Sequence, residues 1–154
     1  MALVDSDDDV NAWHRTFAGA AFNRSWDLID KPDRSRAEDA ELLSAVFASR
    51  FHWEPIGNDE NKAIGDWQIA HAASHLRLAE IAMTFATSAL ERTQAAGRHD
   101  WLLASCYEGV ARAHAIGGNT AARDRYVQLA RAALENVEDP EDRELVESQL
   151  STIP

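Results

Sequence analysis

Two histidines, His71 and His75, stand four residues apart. On a helix that spacing puts both imidazoles on one face, and neutral imidazole is a good transition-metal ligand. Two ligands do not complete a site. No Glu follows His71 as the helical zinc-protease motif demands, and the Glu-x-x-His of di-iron bundles is absent. A third ligand from His14, His52, His99 or His114 is remote in sequence. The pair is therefore either the centre of a metal-dependent helical enzyme or sensor, or two ordinary helix histidines.

Other reactive residues are weaker candidates. The single cysteine, Cys106, has no histidine within a turn, and a catalytic thiol needs one or a helix N-terminus; packing is its expected role. Arg50, His52 and Trp53 mix charge and aromatic character before the Pro55–Gly57 break, as a pocket or as a capped helix end lying against Asn23 and Trp26. There is no nucleophile elbow. Gly117-Gly118 reads as a helix C-terminus rather than a phosphate loop.

Composition narrows the partners. Net charge is −11, from 26 acidic and 15 basic residues, which repels phosphate backbones and argues against nucleic acid as partner. No apolar run approaches the ~20 residues that cross a bilayer. The acidic start Met-Ala-Leu-Val-Asp lacks the basic and apolar regions of a secretion signal, and one cysteine forms no internal disulfide. A cytoplasmic protein without cofactor is expected. Basic charge is almost wholly Arg, with Lys31 and Lys62 the two lysines, and alanine is abundant; both point to a GC-rich bacterial source.

The elements that must position these residues are helices. The apolar residues follow a helical period and no alternating run appears. About seven segments are expected over 154 residues, all in one domain. The first runs from near Asp7 to Ile29 after Ser6, with Trp13, Phe17, Ala21 and Leu28 on one face and Phe22, Trp26 and Ile29 on the other. A helix apolar on both sides expects cover on both, here from a second copy of the chain or from the C-terminal helix. Ser35 to Glu38 is a capping box for the second. Asn58-Asp59 caps the third, Asp100 the fifth, and Asp139-Pro140 opens the last. The third and fourth meet near Leu76-Arg77, with no Gly or Pro to mark the join.

Segments three and four can be laid over five and six at an offset of 41: Ile69-Ala70 on Val110-Ala111, Ala82 on Arg123, Ala86 on Val127, Ala89 on Ala130. Periods of this length mark helical solenoids. Tyr107, Val110-Ala111, His114, Gly118 and Ala130 recur in the order of the tetratricopeptide repeat, and residues 61–137 resemble that family. The period of 41 exceeds the family's 34, Arg123 stands where a small residue belongs, and Arg77 replaces the turn glycine. The resemblance implies an all-α, right-handed stack of antiparallel helical hairpins. It further implies a concave groove lined by Trp67, His71, Ser74 and His75 from one unit and Ser105, Glu108 and Arg112 from the next. The function expected from it is a non-enzymatic, peptide- or protein-binding scaffold, homodimeric through its first helix.

Overall fold

The computed structural model describes residues 6–154. Among these are seven helices and no strand: α1 (Asp7–Ile29), α2 (Arg36–Trp53), α3 (Asp59–His75), α4 (Ala79–Ala95), α5 (Trp101–Ile116), α6 (Thr120–Leu134) and α7 (Pro140–Ser151). The reading of the first five residues falls outside this range. Every start but that of α4, which follows Leu78 with no side-chain cap, is set by a capping side chain. Ser6 accepts from the Asp9 amide, Ser35 and Glu38 close a reciprocal capping box, as do Asn58 and Asn61, and Asp139 accepts from two amides ahead of Pro140.

Consecutive helices pair as hairpins: α1 with α2, α3 with α4, α5 with α6, and each hairpin packs on the next through α2·α3 and α4·α5. The fold is an all-α stack of helical hairpins. Alanine makes the stack tight, because small side chains let helix backbones approach closely. Ala70, Ala73, Ala82, Ala86, Ala89, Ala104, Ala113 and Ala130 are all essentially inaccessible and form one continuous core.

Polar ties fix the stacking. Asp66 on α3 is buried, yet Arg50 from α2 reaches it at 2.7 Å, Arg92 from α4 at 3.0 Å and Ser88 at 2.7 Å. One carboxylate thus joins three helices. Arg50 crosses α3 over Gly65, where a Cβ would stand 2.8 Å from its Cδ; glycine is the residue that permits this crossing. Gln68 donates to the Phe22 carbonyl and Ser49 to the Ala18 carbonyl, which sets α1 against α2 and α3.

α3, α4 and α5 all end in the same motif, in which the second residue past the cap donates back five residues: Leu78 to Ala73, Arg98 to Thr93, Asn119 to His114. The residue before each donor is left-handed: Arg77 (φ 58), Gly97 (φ 65) and Gly118 (φ 78). So the unmarked join at Leu76-Arg77 is a glycine-type turn built without glycine. Arg123, at the position of Ala82, is tolerated because no further hairpin closes over it; its guanidinium donates instead to the Pro154 carbonyl.

Left-handed backbone costs a residue with Cβ roughly 1–2 kcal/mol, and Arg77 is solvent-exposed with no side-chain contact to lose. Arg77→Gly is expected to stabilise the fold by about 1 kcal/mol, some 2–4 °C for a chain of this size. Differential scanning calorimetry measures it, and a lowered melting temperature would contradict the strain argument.

Candidate functional site

The inner faces of α3 and α5 meet along a polar seam. At the offset of 41, Trp67 and His71 occupy the positions of Glu108 and Arg112 on the next hairpin, so two i, i+4 pairs face each other. Glu108 is fully buried, and Arg112 beside it is 4% exposed. Arg112 donates to Glu108 Oε1 at 2.8 Å through Nε. Its Nη2 meets the Gln149 carbonyl at 2.7 Å and Thr152 Oγ1 at 2.8 Å, and Nη1 reaches the Thr152 carbonyl at 3.4 Å. A cation capping the last carbonyls of a helix is favourable. Here it pins the C-terminal end of α7 over α5.

His71 stands on the other side of Glu108, with Nδ1 3.8 Å from Oε2, an ion-pair distance rather than a hydrogen bond. Burial alone would raise the Glu108 pKa, but His71 and Arg112 outweigh it and hold the carboxyl below its ordinary value. The seam holds several polar atoms with no hydrogen-bond partner among the described residues: Trp67 Nε1, His71 Nδ1, Ser74 Oγ, Ser105 Oγ and Glu108 Oε2. Buried polar groups are rarely left so, and a cluster of them marks a functional region.

Above the seam opens a cavity of about 610 Å³. Phe22, Trp26 and Ile29 from α1 form one wall, Ile64, Trp67 and His71 from α3 the floor, and Trp101 from α5 one end. Leu145, Gln149 and Thr152 come from α7, Asp30 from the end of α1, and His75 from the last turn of α3. The rings touch in series: Trp26 and Trp67 centroids lie 5.4 Å apart, Trp67 and Trp101 6.4 Å, Trp26 and His71 5.5 Å. Offset and edge-on contacts of this kind hold aromatic walls in place.

All five residues singled out in the sequence meet here, but at different depths. Trp67, His71 and His75 line the cavity, while Glu108 and Arg112 lie beneath it. The groove expected to display Ser74, Ser105, Glu108 and Arg112 to a partner is not open at those residues, which are all buried. At Arg112 the reason is α7, which packs on α5 and α6 and whose end takes the guanidinium that a partner would have met. His75 remains exposed, with its ring 5.0 Å from that of His71. Partial desolvation, with His71 and Arg112 close by, holds its pKa below the usual value, to about 4, an effect that solvent on its open side screens.

Several site residues escaped the sequence. Trp26 was read as packing near Arg50 and lines the cavity instead; Trp101, Gln149 and Thr152 had no local signal. The converse holds at the other cluster. His52 turns away from Trp26 to meet His14, Nδ1 to Nδ1 at 2.8 Å, and Arg50 goes to Asp66 and Glu54. Among the described residues no group of three His, Cys, Asp or Glu is placed to hold a metal ion, and His14 and His52 pair with each other rather than approach His71. Cys106 is buried against Thr93, and desolvation pushes its thiol up to about 12, which suits packing.

Removing Arg112 leaves Glu108 as an uncompensated buried charge, so Arg112→Ala is expected to cost about 3–5 kcal/mol in urea unfolding. Replacing both, Glu108→Leu with Arg112→Met, should recover most of that loss; a double variant as unstable as the single one would show that the ion pair is not what is at stake. No protein-family model matches this chain, and no curated protein or solved structure matches it.

Proposed function

We propose that this chain is a non-enzymatic binding module of tetratricopeptide-repeat-like build, and that its ligand occupies the cavity between α1, α3, α5 and α7. The repeat reading is supported by the offset of 41 and by the matching turns that end α3 and α5, at Arg77 and Gly118. The binding reading rests on the cavity. Its 610 Å³ falls within the roughly 300–1,000 Å³ of small-molecule sites, which are concave, mostly apolar and carry a few placed polar groups. With α7 over the inner face of α5, the occupant is an apolar organic molecule, or the apolar anchor of a peptide, rather than a strand of peptide along a groove.

Ligand binding to the folded state alone raises stability by about 2.7 kcal/mol at a hundredfold excess over Kd. A fragment screen by thermal shift should therefore yield apolar hits that also change tryptophan emission, since three of the five tryptophans line the cavity. Leu145, 47% exposed on the α7 wall, is the discriminating position. Leu145→Glu is expected to weaken the hits at least tenfold while leaving the melting temperature of the free protein within about a degree. Hits that bind the variant equally well would place the site elsewhere.

A second reading, self-association through α1, is favoured by a separate observation. Trp13 is 58% exposed and Phe17 47%, and Phe51 on the adjoining helix is 69% exposed. α7 does not cover this face, since it packs on α5 and α6 and not on α1. A second copy is the cover that the expected homodimer supplies, and apolar patches of this kind mark interaction sites. Light scattering should give twice the chain mass at micromolar concentration and the monomer mass for Phe17→Glu; wild-type monomer at high micromolar concentration would end this reading.

A further inference from the structure

His71 is the one ionisable side chain that is both more than nine-tenths buried and part of the cavity lining. Its Nδ1 has no hydrogen-bond partner and faces Glu108 Oε2, which has none either. A carboxylate behind an imidazole fixes its tautomer and raises the basicity of the far nitrogen. The other buried charges around the cavity are already matched: Glu108 by Arg112 within α5, and Arg34, in the link after α1, by Asp39 at 2.8 Å. Asp30 at the mouth is exposed and solvated, and Gln149 and its α7 neighbours on the cavity are uncharged. His75, from the same helix as His71, lies at the open side. An anion entering alone would be an unmatched charge in an apolar cavity, inside a protein of net charge −11. An anion entering with a proton is matched.

Resting on the reading that the cavity is the binding site, we propose that its ligand is a small carboxylic acid with an aromatic or branched apolar body, bound as the carboxylate together with one proton taken up by His71. The apolar body lies against Trp26, Trp67 and Trp101. The carboxylate accepts from His71 Nε2–H, and Nδ1 faces Glu108 Oε2 across 3.8 Å, so the imidazolium sits between two carboxylates. The balance is one ligand anion plus one proton from solvent, with no bond made or broken other than N–H. His71 is a binding residue in this account, and Glu108 a positioning residue acting through it.

The linkage has a direction. Because one proton is bound with each ligand anion, apparent affinity falls about tenfold for each unit rise in pH. Titration calorimetry of the full chain with phenylacetate and indole-3-acetate between pH 6 and 8, in two buffers of different ionisation enthalpy, reads this directly. The expected result is uptake of about one proton per ligand and the tenfold dependence. The amides phenylacetamide and indole-3-acetamide should bind more weakly and without pH dependence. His71→Gln, which keeps a hydrogen-bond donor but no titratable group, should abolish the proton uptake. Amides that bind while the acids do not, or acids that bind with no proton uptake, would overturn the inference and leave the cavity reading standing. If neither acids, amides nor plain indole alter tryptophan emission or heat, the cavity reading falls and this inference with it.

Discussion

The buried pair of Glu108 and Arg112 is the constraint on which the rest of the site depends. Desolvating either charge alone costs several kcal/mol, so the two must meet each other and every remaining donor of the guanidinium must find an acceptor. The acceptors it finds are the terminal carbonyls of α7. The need to satisfy one cation thus brings the last helix of the chain against the inner face of α5. Without that demand α7 has only Val146 and Leu150 to bury, a small apolar area for a helix of twelve residues.

Placing α7 there converts an open face into a cavity. A stack of three hairpins presents the first helices α1, α3 and α5 along one side, and in a solenoid that side is a groove. Here α1 turns Phe22 and Trp26 toward α3, α7 crosses from the other direction, and the space between is walled on several sides. The aromatic residues then serve two ends. Trp67 is nearly inaccessible and joins the core to the cavity floor, whereas Trp26 and Trp101 are half-buried on its walls. The polar seam beneath them gives the apolar walls a chemical direction, since His71 is the point where the seam touches the space above it.

The asymmetry between the two hairpins has the same origin. Positions related by the offset carry Trp67 and His71 on one and Glu108 and Arg112 on the other. Opposed across the helix pair, unlike residues complement each other where identical ones would clash in charge or size. The offset match is correspondingly incomplete, with Arg123 at the place of Ala82 and Arg77 at that of Gly118. α1, by contrast, keeps an uncovered aromatic stretch at Trp13 and Phe17, far along the helix from the cavity, so one helix carries two surfaces of different character.

Local chemistry determined the elements. Caps at Ser6, Ser35, Asn58, Asp100 and Asp139, with the 3.6-residue period of the apolar positions, are interactions among residues a turn apart, and they fix helix number and ends wherever the helix lies. The hairpin order follows from short links, the His71–His75 spacing is itself local, and Glu108 and Arg112 became candidates through the repeat resemblance. What the tertiary structure alone decided was depth and company. Whether Arg112 faces a groove or clamps α7, whether His52 approaches Trp26 or His14, and whether Trp101 and Gln149 belong to the site at all depend on contacts between residues dozens of positions apart. Periodicity gives a side chain's face on its own helix, but not which helix arrives to cover it. That is set by the cost of leaving buried charges unpaired, a quantity that exists only once the helices have come together.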